Sequence, residues 1–161
     1  METSNSNILV LGASGQLGQC ISKIAGSRKI QNILLPGKET ANVLRPDLLK
    51  DLFESFRPAY VVNCAAYTAV DKAEDDVELC RMVNKDGPTN IARLCKEFNA
   101  TLIHVSTDFV FEGSHVSLLK ETDVAKPVNV YGLTKLEGEL EIMDILSNYI
   151  ILRTSWLYSE Y

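Results

Sequence analysis

The sequence has little of what several classes of function require. Its four cysteines, Cys20, Cys64, Cys80 and Cys95, are spread along 161 residues without a Cys-x-x-Cys pair, and with His104 and His115 they form no metal-ligand cluster. That spacing argues against a disulfide scaffold and against a zinc module, and leaves the cysteines as small buried residues in a reducing compartment. Basic residues are in the minority, 16 against 21 acidic, for a net charge of −5, so the overall balance attracts neither nucleic acid nor an anionic membrane. No apolar run approaches membrane-spanning length, and the segment Met1 to Asn7 lacks the basic start and apolar stretch of a signal peptide. Internal repeats and low-complexity tracts are also missing. The expectation is a soluble cytoplasmic protein with a flexible leader over residues 1–7 and a single globular domain over residues 8–161, a size and a 46% apolar content that suffice for one core.

What is present is a regular alternation. Short apolar runs, Ile8-Leu-Val-Leu11, Asn32-Ile-Leu-Leu35, Tyr60-Val-Val-Asn63, Thr101-Leu-Ile-His-Val105 and Tyr149-Ile-Ile-Leu152, have the length of buried parallel strands, and most are bounded by turn residues. Between them lie segments of helical spacing, such as Leu48, Leu49, Leu52, Phe53 and Phe56, then Leu79, Met82, Val83, Ile91, Leu94 and Cys95. The pattern predicts an α/β, Rossmann-type doubly wound parallel sheet with crossover helices on both faces, ending soon after its fifth strand. A helix from about Asn129 to Leu146 is expected to pack Leu133, Leu136, Leu140 and Met143 on the sheet. Tyr131 and Lys135 share a different side.

The first strand runs into Gly12-Ala-Ser-Gly15-Gln-Leu-Gly18 and then into a helix marked by Ile21 and Ile24. Strand, glycine loop and helix in that order form the context of a dinucleotide fingerprint: glycines let the backbone turn and approach a pyrophosphate, and the helix N-terminus receives its charge. A glycine-rich turn that binds nothing is the plainer alternative, outweighed by the context. After the second strand an acidic residue for the ribose hydroxyls is common, but Leu34-Leu-Pro-Gly-Lys-Glu39 follows here. Lys38 or Arg45 would meet a 2′-phosphate, or both are solvated loop charges, so NADPH and NADH both stay open.

Past the fourth strand come Ser106-Thr107-Asp108 and, 23 residues beyond Asp108, Tyr131-Gly-Leu-Thr-Lys135. Carbonyl reduction needs an acid that protonates the developing alkoxide. A tyrosine serves if an ammonium one helical turn away favours its phenolate. Tyr131 is thus the candidate acid, Lys135 its activator and a ligand for the nicotinamide ribose, and Thr107 a hydrogen-bond donor to the substrate oxygen with Asp108 beside it. Alone, Tyr-x-x-x-Lys is an ordinary helical pair; its order after the glycine loop and the Ser-Thr-Asp strand end gives it weight. Asn63-Cys-Ala-Ala66 offers small side chains next to a cofactor, or simply packs tightly. Asn84 reads as a structural hydrogen bonder or as the holder of a water or backbone group near the site.

Four stretches, Val62-Asn-Cys-Ala-Ala-Tyr-Thr-Ala-Val-Asp-Lys-Ala-Glu74, Val105-Ser-Thr-Asp-Phe-Val-Phe-Glu-Gly113, Pro127-Val-Asn-Val-Tyr-Gly-Leu-Thr-Lys-Leu-Glu-Gly-Glu139 and Ile151-Leu-Arg-Thr-Ser-Trp-Leu-Tyr158, resemble the dTDP-4-dehydrorhamnose reductase family of extended short-chain dehydrogenases. The resemblance implies reduction of the C4 carbonyl of dTDP-4-dehydro-L-rhamnose by NADPH or NADH, with Tyr131 as proton donor and Lys135 as its activator. It implies further that Thr107, Asp108 and Trp156 contact the sugar nucleotide. Gly12, Ser14, Gly15, Gln16, Leu17 and Gly18 would line the pyrophosphate side, with Asn42, Val43, Ala65, Ala66 and Tyr67 elsewhere along the cofactor. Asn42-Val-Leu-Arg45 stands where the family usually has an acidic stretch, which bears on cofactor preference. Cys20 replaces the carboxylate through which some members bind Mg²⁺, so no metal is expected. Family members run to roughly twice this length, so most of the substrate domain is expected to be absent. The partners expected are a dTDP-sugar and a second copy of the chain. Two other roles share the resemblance: a regulatory subunit of the methionine adenosyltransferase type, and a nucleotide-sugar epimerase or dehydratase.

Overall fold

The structure, a computed structural model, describes residues 6–113 and 118–161; most of the leader and His115 lie outside the described residues. Its elements follow in the order β1 (Ile8–Leu11), α1 (Gln16–Ser27), β2 (Ile33–Leu34), α2 (Pro46–Phe56), β3 (Tyr60–Asn63), α3 (Val77–Arg81), α4 (Gly87–Phe98), β4 (Thr101–Thr107), α5 (Val130–Ile145) and β5 (Tyr149–Thr154). A single π-helical turn, Met82–Asp86, joins α3 to α4. The five strands are parallel and ordered β2-β1-β3-β4-β5. The fold class expected from the alternation is therefore present. β2 is shorter than its apolar run, and β4 and β5 each extend two residues past theirs.

The order reverses between β1 and β3. Because parallel crossovers are almost always right-handed, the leftward step through α1 and the rightward steps through α2, α4 and α5 fall on opposite faces. Contacts of α2 with α4 and of α4 with α5 agree with three helices sharing one face. Registered neighbours Leu9, Val61, Leu102 and Tyr149 form one row across that face. They pack with Leu49 and Phe53 of α2, Ile91, Leu94 and Cys95 of α4 and Ile142 of α5. Each fully buried aliphatic or aromatic side chain contributes about 1.5–3 kcal/mol, so this layer holds the fold together.

One expectation is reversed. Leu133, Leu140 and Met143 do not pack on the sheet; they are 42%, 55% and 42% exposed, and the buried residues of α5 are Tyr131, Gly132, Thr134, Lys135, Gly138, Glu139 and Ile142. The reason lies in the sheet. Toward the carboxyl ends of the strands its inner face changes from Leu102 and Val61 to Asn63, His104, Ser106 and Arg153. A polar helix face meets a polar sheet face there, and the apolar stripe is left outside. Gly138 lets the helix come close: a Cβ on it would lie 2.1 Å from the Asn84 carbonyl oxygen. Leu79 and Met82, expected as apolar helix positions, are likewise exposed.

Candidate active site

Ligands of open α/β sheets gather where the strand order reverses, beyond the carboxyl ends. Two adjoining cavities lie at that point, and both are lined by Gly15, Cys64 and Ala66. The first is lined by Gly12, Ser14, Asn42, Val43, Ala65 and Tyr67, with Lys38 at its edge. The second brings together Gln16, Leu17, Thr107, Asp108, Tyr131, Lys135 and Trp156. Every residue singled out for cofactor, substrate or proton transfer lines one of them except Gly18, which is buried beneath the loop, and Arg45. Of the two basic candidates, Lys38 lines the first cavity, whereas Arg45 is engaged with Asp47 through contacts of 3.0 and 2.6 Å.

The glycine loop has the shape a diphosphate cradle needs. Gly12 adopts φ +81°, and a Cβ there would lie 2.5 Å from the Ala65 nitrogen, so only glycine fits. At Gly18 a Cβ would come within 2.4 Å of the Gly12 oxygen, so any side chain would separate loop from helix. The N-terminus of α1 has Gly15 as its cap, no capping side chain and no acidic residue in its first turn. Its free N–H groups therefore remain available for an anion. Asn63 shapes the opposite wall by accepting from the Ala65 N–H at 3.0 Å.

Tyr131 stands in the first turn of α5, which Asn129 caps by accepting from the Gly132 N–H at 2.7 Å. Its ring meets Phe109 edge-on at 5.6 Å. Thr107 ends β4; its hydroxyl accepts from the Phe109 N–H at 3.2 Å and donates to Asp108 Oδ1 at 3.3 Å. Burial pushes the Tyr131 phenol above its ordinary value. The neighbouring Thr107 hydroxyl opposes the rise, and the nearby Asp108 and Cys80 side chains add to it. The lowering expected from a neighbouring ammonium is not what governs it. Lys135 instead extends to β4, where Nζ donates to the Val105 carbonyl at 2.7 Å and lies 3.4 Å from His104 Nε2. Burial lowers Lys135 to about 8, with Glu139, Cys64 and Cys80 pulling the other way.

Several residues of the site carried no assigned role in the sequence. Glu139 is fully buried and accepts three contacts from Arg153 of β5, at 3.1, 3.1 and 2.6 Å. His104 is fully buried between Asn63 and Lys135. The Ser106 hydroxyl, buried in the wall of the second cavity, has no hydrogen-bond partner. The signal for them was present: Asn63, His104 and Ser106 continue the inward parity of Val61 and Leu102 along otherwise apolar strands. Asn84 holds a backbone group beside the site: its amide both accepts from the Tyr67 N–H at 2.9 Å and donates to the Tyr67 carbonyl at 3.1 Å, and Tyr67 lines the first cavity. The π-helical turn that carries Asn84 aims it inward, a use such turns often have near functional sites. Among the described residues no group of three His, Cys, Asp or Glu side chains is arranged to hold a metal, and no helix is long and apolar enough to cross a membrane.

A family model described as the RmlD substrate binding domain matches residues 6–161. A dTDP-4-dehydrorhamnose reductase of Aggregatibacter actinomycetemcomitans is 36% identical over 156 residues, which cover 97% of this chain and 53% of that protein. Among solved structures, a dTDP-4-dehydrorhamnose reductase from Clostridium acetobutylicum superposes with a TM-score of 0.91 at 35% identity, covering 96% of this chain and 55% of that one. The Bacillus anthracis reductase, solved in complex with NADP, gives 0.92 at 31% identity, covering 97% and 55%. The chain thus spans about half the length of the relatives it matches.

Proposed function

This chain belongs to the RmlD substrate binding domain family, and from that membership we propose that it supplies the cofactor-binding and proton-transfer part of a cytoplasmic dTDP-4-dehydrorhamnose reductase, which reduces the C4 carbonyl of a dTDP-sugar with NADPH or NADH. The observation that carries the reading is the convergence of Thr107, Tyr131 and Lys135 on one cavity that continues into the glycine loop. A binding protein of the same fold has no need of a buried tyrosine and lysine beside a strand-end threonine.

The dinucleotide, when bound, supplies the hydride. The first turn of α1 with Gly12 and Gly15 would hold its pyrophosphate; Asn42, Val43, Ala65, Ala66 and Tyr67 would form the walls, and Lys38 would be the cation available to a 2′-phosphate, which favours NADPH. Tyr131 gives its phenolic proton to the carbonyl oxygen as charge develops there, and Thr107 orients that oxygen. Asp108 and Trp156 contact the sugar nucleotide at the outer rim. The exposed ridge of Leu133, Leu140 and Met143 on α5 serves as the contact for a second copy of the chain.

A chimera in which this chain replaces the matching half of the Escherichia coli relative tests the reading. It should oxidise NADPH in the presence of dTDP-4-dehydro-L-rhamnose. Tyr131→Phe should lower turnover by at least about a hundredfold while leaving cofactor affinity within a factor of two or so. Undiminished turnover in that variant rules the assignment out. Tight NAD retained through purification, with no net NADPH oxidation, would favour an epimerase or dehydratase instead.

A further inference from the structure

We propose that Asn63 and His104 form a polarised relay which presents an N–H to Lys135 Nζ and so disfavours the ammonium form of the lysine, making both of them positioning residues for the Tyr131/Lys135 pair. The direction of the relay follows from a donor inventory. The Ala65 N–H donates to Asn63 Oδ1 at 3.0 Å, which fixes the amide with its Nδ2 toward His104 Nδ1, 3.1 Å away. An amide NH₂ only donates, so Nδ1 accepts and carries no proton. His104 is fully buried, and its burial together with Lys135 keeps its pKa well below the ordinary histidine value, so the ring is neutral. Its one proton is therefore on Nε2, and Nε2 is the atom 3.4 Å from Lys135 Nζ.

An ammonium has donors only and would set N–H against N–H at that contact. A neutral amine accepts from Nε2–H while still donating to the Val105 carbonyl at 2.7 Å. The remaining groups around Nζ come from each neighbouring element. Glu139 on α5 favours the ammonium, but its carboxylate is taken up by Arg153 of β5. Cys64 after β3 is held up at about 11 by burial and is a neutral thiol at physiological pH; Cys80 of α3, Tyr131 of α5 and Asp108 after β4 complete the set. A lysine whose ammonium is disfavoured in this way gives Tyr131 less support, which accords with a phenol whose acidity is governed by burial. The relay thus decides whether the lysine can assist the tyrosine. What it serves rests on the proposed function, but its existence does not.

Nitrogen-15 NMR on the chain as it stands, without cofactor or substrate, tests the relay and leaves the enzymatic reading aside. Long-range correlation spectra at neutral pH should show His104 with a pyrrole-type Nε2 and a pyridine-type Nδ1. Proton on Nδ1, or on both nitrogens, overturns the proposal. The Lys135 side-chain signal, assigned by its loss in Lys135→Met, should titrate with a midpoint near 8. A midpoint at the ordinary lysine value, about 10.4, overturns it as well. Asn63→Asp inverts the relay, since a carboxylate accepting from Ala65 needs a donor at Nδ1. It should move the His104 proton to Nδ1 and raise the Lys135 midpoint, an increase of at least about tenfold in proton affinity. Inversion of the ring with no change in Lys135 would contradict the coupling. If that variant does not fold, the wild-type tautomer and titration still decide.

Discussion

The two faces of the sheet are built from similar residues and end in different states. On the face of α2, α4 and α5, the row Leu9, Val61 and Leu102 is fully buried. On the other, the row Val10, Val62, Ile103 and Ile150 starts fully buried at β1 and ends 50% exposed at β5, where Leu152 is also 47% exposed. One helix, α1, serves that whole side, and its own Ile24 is 51% exposed. The difference teaches that apolar character in a strand reports burial only when a layer covers it. The candidate site sits where the faces meet, at the reversal of strand order, and draws α1's N-terminus from one side and α5's polar edge from the other.

Neighbours on β5 make the sharpest contrast. Arg153→Met leaves the Glu139 carboxylate buried without its partner and should cost about 3–5 kcal/mol in urea unfolding; wild-type stability in this variant would break the distinction between the faces. Leu102→Ala, on the covered row, should cost about 2–5 kcal/mol through lost burial and a residual cavity. A pH experiment probes the same layer. Lys135 titrates near 8 in the folded chain and about 10.4 unfolded, so between those values the unfolded chain holds the extra proton. Native stability should therefore rise with pH across that window, by about 3 kcal/mol relative to Lys135→Met. Parallel curves for the two proteins would show that the lysine is not perturbed. Smallest of all, Leu152→Thr on the open face should change stability by no more than about 0.5–1 kcal/mol. A loss as large as that of Leu102→Ala would mean that the face is covered in solution.

The strands, the glycine loop and the Tyr131/Lys135 pair were legible because each rests on local chemistry: short apolar runs, a turn only glycine permits, and a one-turn helical spacing. The orientation of α5 was not. Its leucine stripe is a normal signal for a core-facing helix, and it misled because the sheet opposite is polar, a fact set by Asn63, His104, Ser106 and Arg153 acting from three strands. The Glu139–Arg153 pair and the Asn63–His104–Lys135 chain depend on residues 14 to 41 positions apart. No spacing within one element encodes them. Lys38 and Arg45 are told apart by the Arg45–Asp47 contact, which joins residues only two positions apart.

The central claim is that the loop between β1 and α1 receives a dinucleotide. It is tested most directly by titrating NADPH into the chain and following nicotinamide fluorescence, with Tyr131→Phe and Gly18→Ala alongside. The account predicts saturable binding that survives Tyr131→Phe and weakens at least tenfold or so in Gly18→Ala, whose Cβ would strike the Gly12 oxygen. No saturable binding to the wild-type chain, or binding equally tight in a folded Gly18→Ala variant, would contradict it.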